Sequence, residues 1–159
     1  MSKAINITAM VESPKGYNQK FNFDAKENRF RLSKILPAGL VFPFDFGMIP
    51  GTKGDDGDPL DIIVIADSAT FPGCLIECRL IGAIQAEQTE RNGETVRNDR
   101  LIGVPGISQQ FADVKSLDDL PQAILNQVEA FFKNYNEQAG KQFKVTARLD
   151  AGEAATLLK

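Results

Sequence analysis

Along the first third of the chain, apolar and polar residues exchange every second position. Ile5 to Glu12 alternates loosely, Lys20 to Asp24 (KFNFD) cleanly and Arg29 to Leu32 (RFRL) again, which is the period of short, half-buried strands. Asn28 supplies the turn between the last two. From Leu36 to Pro50 (LPAGLVFPFDFGMIP) three prolines, two glycines and three phenylalanines break any period, so an irregular but packed segment is expected. Leu60 to Ala66 is a nearly continuous apolar run, Leu75 to Ala86 a longer β-rich stretch, and Arg100 to Val104 a further strand. The ERNG of Glu90 to Gly93 is a turn between the last two.

The period then changes. From Asp119 onward Leu120, Ile124, Val128, Phe131, Phe132 and Tyr135 recur at steps of three and four, with Ser116 or Asp118 as cap and Gly140 as stop. One long helix is predicted there. Phe143 to Leu149 (FKVTARL) returns to a strand, and Ala151 to Lys159 forms a short terminal helix. Many short strands with two helices and no βαβ alternation predict a mainly β protein, an OB-like five-stranded β-barrel carrying one long and one short helix. No repeat or linker divides it, so a single domain over residues 1–159 is expected.

Composition narrows the function classes. The net charge of −3, with no aromatic residues interleaved among basic runs, points away from nucleic acid. No apolar stretch is long enough for a membrane span, and MSKAINITAMVES lacks a secretion signal, so a cytoplasmic protein is expected. Cys74 and Cys78 are too few for a disulfide framework and read as buried, reduced thiols. The chain has no histidine, which removes Ser-His-Asp and Cys-His nucleophiles and leaves carboxylates, lysines, arginines and tyrosines to do any chemistry.

One stretch concentrates that chemistry. In DDGDPLDIIVIAD, Asp55, Asp56, Asp58 and Asp61 crowd together where a strand is about to enter the core. Like charges so close, next to apolar residues, raise the free energy unless protons or cations compensate. A plain turn accounts for Asp56-Gly57 and Asp58-Pro59 but not for Asp61. A calcium loop fails, because counting from Asp56 the sixth position is Asp61 rather than glycine; a phosphate-cradling loop fails for want of a GK[ST] ending. Mg²⁺ takes oxygen ligands and retains waters, so a few carboxylates suffice for it.

The run Asp56-Gly57-Asp58-Pro59-Leu60-Asp61-Ile62 resembles the signature of the soluble, magnesium-dependent family I inorganic pyrophosphatases. The resemblance extends from about Glu12 to Lys141 through VFPFDFG, the glycine-proline turn at Val104 to Gly106 and DVKSLDDLPQAIL. It implies an OB-fold barrel, a homo-oligomer that is hexameric in bacteria, and hydrolysis of pyrophosphate to two phosphates with several Mg²⁺ ions. The chemistry is reasonable: a dense polyanion repels hydroxide, and cations that share the attacking water both neutralise the one and supply the other. By resemblance Asp56 and Asp61 hold the activating metals, Asp58 is the general base, Glu12 serves the outer metal shell, and Glu87 and Asp99 complete the metal ligands. Lys20, Lys34, Arg100 and Tyr135 hold the phosphates.

The match also departs from the family. Two tyrosines usual before the signature are Phe42 and Phe46, a glutamate is Asn22, and a lysine after the helix tyrosine is Asn136. Lys34 stands for an arginine and Arg100 for a lysine. The acidic pair expected on later strands falls on Glu87 or Glu90 and on Asp99 or Asn98, and Lys26, Arg29, Arg31 or Lys141 offers positive charge elsewhere. Beside pyrophosphate hydrolysis, two alternatives stand: a weakened protein that binds metal or polyphosphate, and a hydrolase of another phosphoanhydride.

Overall fold

The computed structural model describes residues 4–54 and 57–158. Among these residues are nine strands, two α-helices and two short 3-10 turns, with the expected strands and helices in the order that the patterning gives. β1 (Asn6–Ser13), β4 (Asp45–Met48), β5 (Asp61–Val64), β8 (Arg100–Pro105) and β6 (Leu75–Thr89) pair in that sequence, and β6 returns to β1 to close a five-membered ring. The ring is not even, because β6 runs past it to pair also with β7 (Thr95–Arg97) and β9 (Gln142–Asp150). β2 (Gln19–Asp24) and β3 (Arg29–Ile35) form a separate hairpin whose turn holds Asn28 at φ 53°.

The continuous apolar run of β5 has a simple cause. Ile62 and Val64 join one buried cluster with Ala9, Val11, Leu80 and Leu101, while Ile63 joins a second with Ile84, Ile102 and Val128, so both faces of the strand are covered. α1 (Gln122–Gln138) covers the second cluster with Leu125, Val128, Phe131 and Phe132. α2 (Ala151–Ala155) sets Ala154 against the first.

Three details differ from the patterning. The irregular Leu36 to Pro50 segment contains β4, whose Asp45 is buried and fully employed, accepting from the Lys15 and Thr70 amides and the Thr70 hydroxyl. The long helix starts three residues after Asp119: Asp119 instead closes a 3-10 turn (Leu117–Asp119) by accepting from the Lys115 and Ser116 amides, and Gly140 ends α1 at φ 80°. Of the two free cysteines only Cys78 is buried, its thiol pushed up to about 12 by desolvation; Cys74 is half-buried.

Gly47 lies where β1 and β4 approach most closely, and a Cβ there would fall on the Met10 carbonyl. Gly47→Ala is therefore expected to lower stability by about 1–3 kcal/mol. A urea titration should show a lower midpoint with the same slope; an unchanged midpoint would mean that the two strands can part freely.

Candidate active site

The hairpin, the β4–β5 edge, the start of β8 and the C-terminal half of α1 enclose a cavity of about 720 Å³. Its walls are chemically opposed.

One wall is acidic. Glu12, on the half-buried side of β1, accepts a hydrogen bond from the Phe23 amide at 2.8 Å, which also ties the hairpin to the ring. Ser13 adds a second tie, accepting from the Phe21 amide and donating to the Phe21 carbonyl. Burial raises the Glu12 carboxyl above its ordinary value; the Phe23 amide pulls it back, the charges of Asp61 and Asp58 raise it further, and Lys20 lowers it. Asp58 sits in a tight turn after Gly57, which takes φ 88°, and Asp61 opens β5; both line the cavity with Glu12.

The other wall is basic and aromatic. Lys20 and Lys34 are direct partners across the hairpin, a like-charge pair that costs free energy on its own. Their ammonium groups lie 5.7 and 5.9 Å from the centre of the Tyr135 ring, whose negative face offsets part of that cost. The Tyr135 hydroxyl is buried and has no hydrogen-bond partner among the described residues. Arg100 stands beside Asp61 on the parallel strand, with its guanidinium 3.8 Å from the Phe132 ring centre. Burial pulls Arg100 down from its ordinary value while Asp61, Tyr135 and Asp99 hold it up, and it remains a cation. Phe42 and Phe46 pack ring to ring at 4.9 Å and continue into Phe131 and Phe132, so they build the apolar floor.

The structure thus gathers Glu12, Asp58, Asp61, Lys20, Lys34, Arg100 and Tyr135 around one space. Asp56 lies outside the described residues. Glu87 is exposed and off the cavity, while its neighbour Gln88 is buried and on it. Asp99 turns away to pair with Arg97 at 2.8 Å and accept from the Ala86 amide, and lines a smaller pocket of about 250 Å³; Asn98 lines both spaces. Ile84 and Ala86 of β6 belong to the buried cluster under α1, and Gln88 continues that alternation, which leaves Glu87 on the exposed side. Asn136 spends its amide on the Phe132 carbonyl of its own helix. The Asp24–Arg31 pair at the rim, 2.9 Å apart, bears no sequence mark beyond ordinary hairpin charge.

The family model described as inorganic pyrophosphatase matches residues 9–159. The chain belongs to the inorganic pyrophosphatase family. It is 38% identical to the inorganic pyrophosphatase of Halalkalibacterium halodurans over 96% of this chain and 90% of that one. To that of Sulfolobus acidocaldarius it is 36% identical, over 93% and 84%. Among solved structures, the inorganic pyrophosphatase of Neisseria gonorrhoeae superposes with a TM-score of 0.87 at 30% identity, over 96% of this chain and 87% of that one. That of Thermus thermophilus gives 0.87 at 28% identity, with the same coverages. The OB-like barrel expected from the patterning is therefore the fold of the family's solved members.

An unpartnered buried hydroxyl contributes nothing to the empty protein, so Tyr135→Phe should leave the melting temperature unchanged or slightly higher. A hydrogen bond from that hydroxyl to a charged ligand is worth about 1.5–3 kcal/mol, so KM or an anion's Kd should rise roughly 10- to 100-fold. Loss of stability with unchanged KM would contradict this assignment.

Proposed function

We propose that the chain hydrolyses inorganic pyrophosphate to two phosphates, with Mg²⁺ as its metal. The observation that carries the reading is the opposition of walls within one cavity: Glu12, Asp58 and Asp61 against Lys20, Lys34, Arg100 and the Tyr135 hydroxyl. A pyrophosphate that spans both walls needs cations on the acidic side.

The donors present suit a hard cation. They are oxygens only, there is no histidine, and Glu12 is raised first by burial and then by the charges of Asp61 and Asp58, the part that a divalent ion would relieve. Among the described residues no three carboxylates or thiols converge on one point, so Asp58 and Asp61 would hold the ion with retained waters and, by the resemblance, with Asp56. When bound, the metal lowers the pKa of water and neutralises phosphoryl charge.

The remaining roles fall to the chain itself. Lys20 and Lys34, already in mutual repulsion, gain most from an anion placed between them, and so orient one phosphoryl group. Tyr135 donates its idle hydroxyl to the same group, and Arg100 grips the phosphate side nearest Asp61. Asp58, exposed at the cavity mouth, accepts the proton of the attacking water. The Phe42–Phe46–Phe132 floor excludes water and strengthens each of these contacts. Glu12 steadies the acidic wall from the outer side, and we assign no metal contact to Glu87 or Asp99.

The reading extends to a homo-oligomer in the cytoplasm, hexameric by the resemblance. Exposed apolar residues such as Leu32, Ile35, Phe71 and Ile107 support association, and among the described residues no helix is long and apolar enough to cross a membrane. Its partner is the small anion rather than nucleic acid. The family match does not favour binding without turnover, and the floor rings are engaged with one another rather than open to a nucleotide base.

Phosphate release from pyrophosphate should appear on adding Mg²⁺ and vanish with chelator, with ATP a poor substrate. Asp58→Asn should keep the fold and lower kcat about 10²- to 10⁴-fold, the usual contribution of a positioned general base. Equal turnover in the variant would remove Asp58 from that role, and no metal-dependent release from the folded wild type would overturn the reaction.

A further inference from the structure

A chain of side chains runs along the wall where the later strands meet the end of α1. The Asn98 amide donates to Gln88 Oε1 at 2.9 Å, the Gln88 amide donates to Glu90 Oε1 at 3.2 Å, and Lys141 Nζ pairs with Glu90 Oε2 at 3.1 Å. Gln88 is 8% exposed, and Gln88, Asn98 and Lys141 all line the main cavity. Both oxygens of Glu90 are engaged within the chain, one by the Gln88 amide and one by the Lys141 ammonium. The segments carrying the chain are fixed independently: Arg91 donates to the Ala139 carbonyl, and the Lys141 amide to the Asn136 carbonyl. Lys141 is thereby held in place, while an ammonium with three donors gives only some of them to one carboxylate oxygen.

We propose that Asn98, Gln88 and Glu90 form a positioning relay that presents the Lys141 ammonium to a phosphoryl group in the cavity, a contact that requires no divalent cation. It rests on the proposed phosphoanhydride substrate occupying this cavity. A held lysine loses less side-chain freedom on binding than a loose one, which is what the relay contributes. The relay itself presents amide and ammonium groups, its one carboxylate being taken up by Gln88 and Lys141, so the phosphoryl group nearest Lys141 is bound directly.

The test is calorimetric titration of inorganic phosphate into metal-stripped protein, with steady-state kinetics in Mg²⁺ measured separately. Lys141→Met should weaken phosphate binding roughly tenfold, as for loss of one charged hydrogen bond, and raise KM more than it lowers kcat. Lys141→Arg should restore most of the affinity. Gln88→Met changes no charge but cuts the relay, and should weaken phosphate several-fold; a purely structural glutamine would lower the melting temperature and leave the phosphate Kd where it was. Unchanged Kd in Lys141→Met, or no metal-free phosphate binding by folded wild type, overturns the proposal whether or not pyrophosphate is turned over. Lys141-dependent phosphate binding without turnover would keep this contact and sink only the hydrolytic reading.

Discussion

The structure depends on holding like charges together at one cavity. Glu12, Asp58 and Asp61 share one wall; Lys20 and Lys34 face each other across a hairpin on another. In a fold selected for stability alone, the two sets would interdigitate and cancel. Here the ring of β1, β4, β5, β8 and β6 holds the acidic wall, and a hairpin tied to it through Ser13 and Glu12 holds much of the basic one. The separation is a standing cost that a bound polyanion with its cations removes, and binding and the missing stabilisation are two sides of one free energy.

The aromatic floor sets the strength of these charges. Phe42, Phe46, Phe131 and Phe132 pack continuously beneath the cavity, and the Arg100 guanidinium packs over the Phe132 ring. Low local polarity enlarges every Coulomb interaction above it. Phenylalanine at positions 42 and 46 has a definite role in this arrangement: the rings complete the stack on α1, and the hydroxyl donors on that side reduce to Tyr135.

Much of this was legible in the sequence, for reasons that differ by element. β5 announced itself because both its faces are buried, and α1 because its apolar stripe has a clear period and a glycine stop. The carboxylate turn was legible because Asp61 has no reason to open a buried strand as a turn residue. β4 was hidden, since its pairing depends on Gly47 fitting under Met10, a tertiary fact. Glu87 and Asp99 each stand one residue from a position on the cavity: Gln88 rather than Glu87 continues the buried side of β6, and Asp99 is held by Arg97. Glu90, Asn98 and Lys141 were visible as separate candidates, but their linkage through Gln88 was not, because only folding brings these three stretches of chain together.

The most direct test of the charge-separated cavity is differential scanning calorimetry of metal-stripped wild type and Asp61→Asn with added Mg²⁺, and again with Mg²⁺ and phosphate together. Mg²⁺ should raise the wild-type melting temperature in a concentration-dependent way, phosphate should add to that rise, and Asp61→Asn should lose most of the metal effect while unfolding cooperatively. Equal melting temperatures for wild type with and without Mg²⁺, at concentrations up to tens of millimolar, would contradict the idea that these carboxylates are held together for a cation.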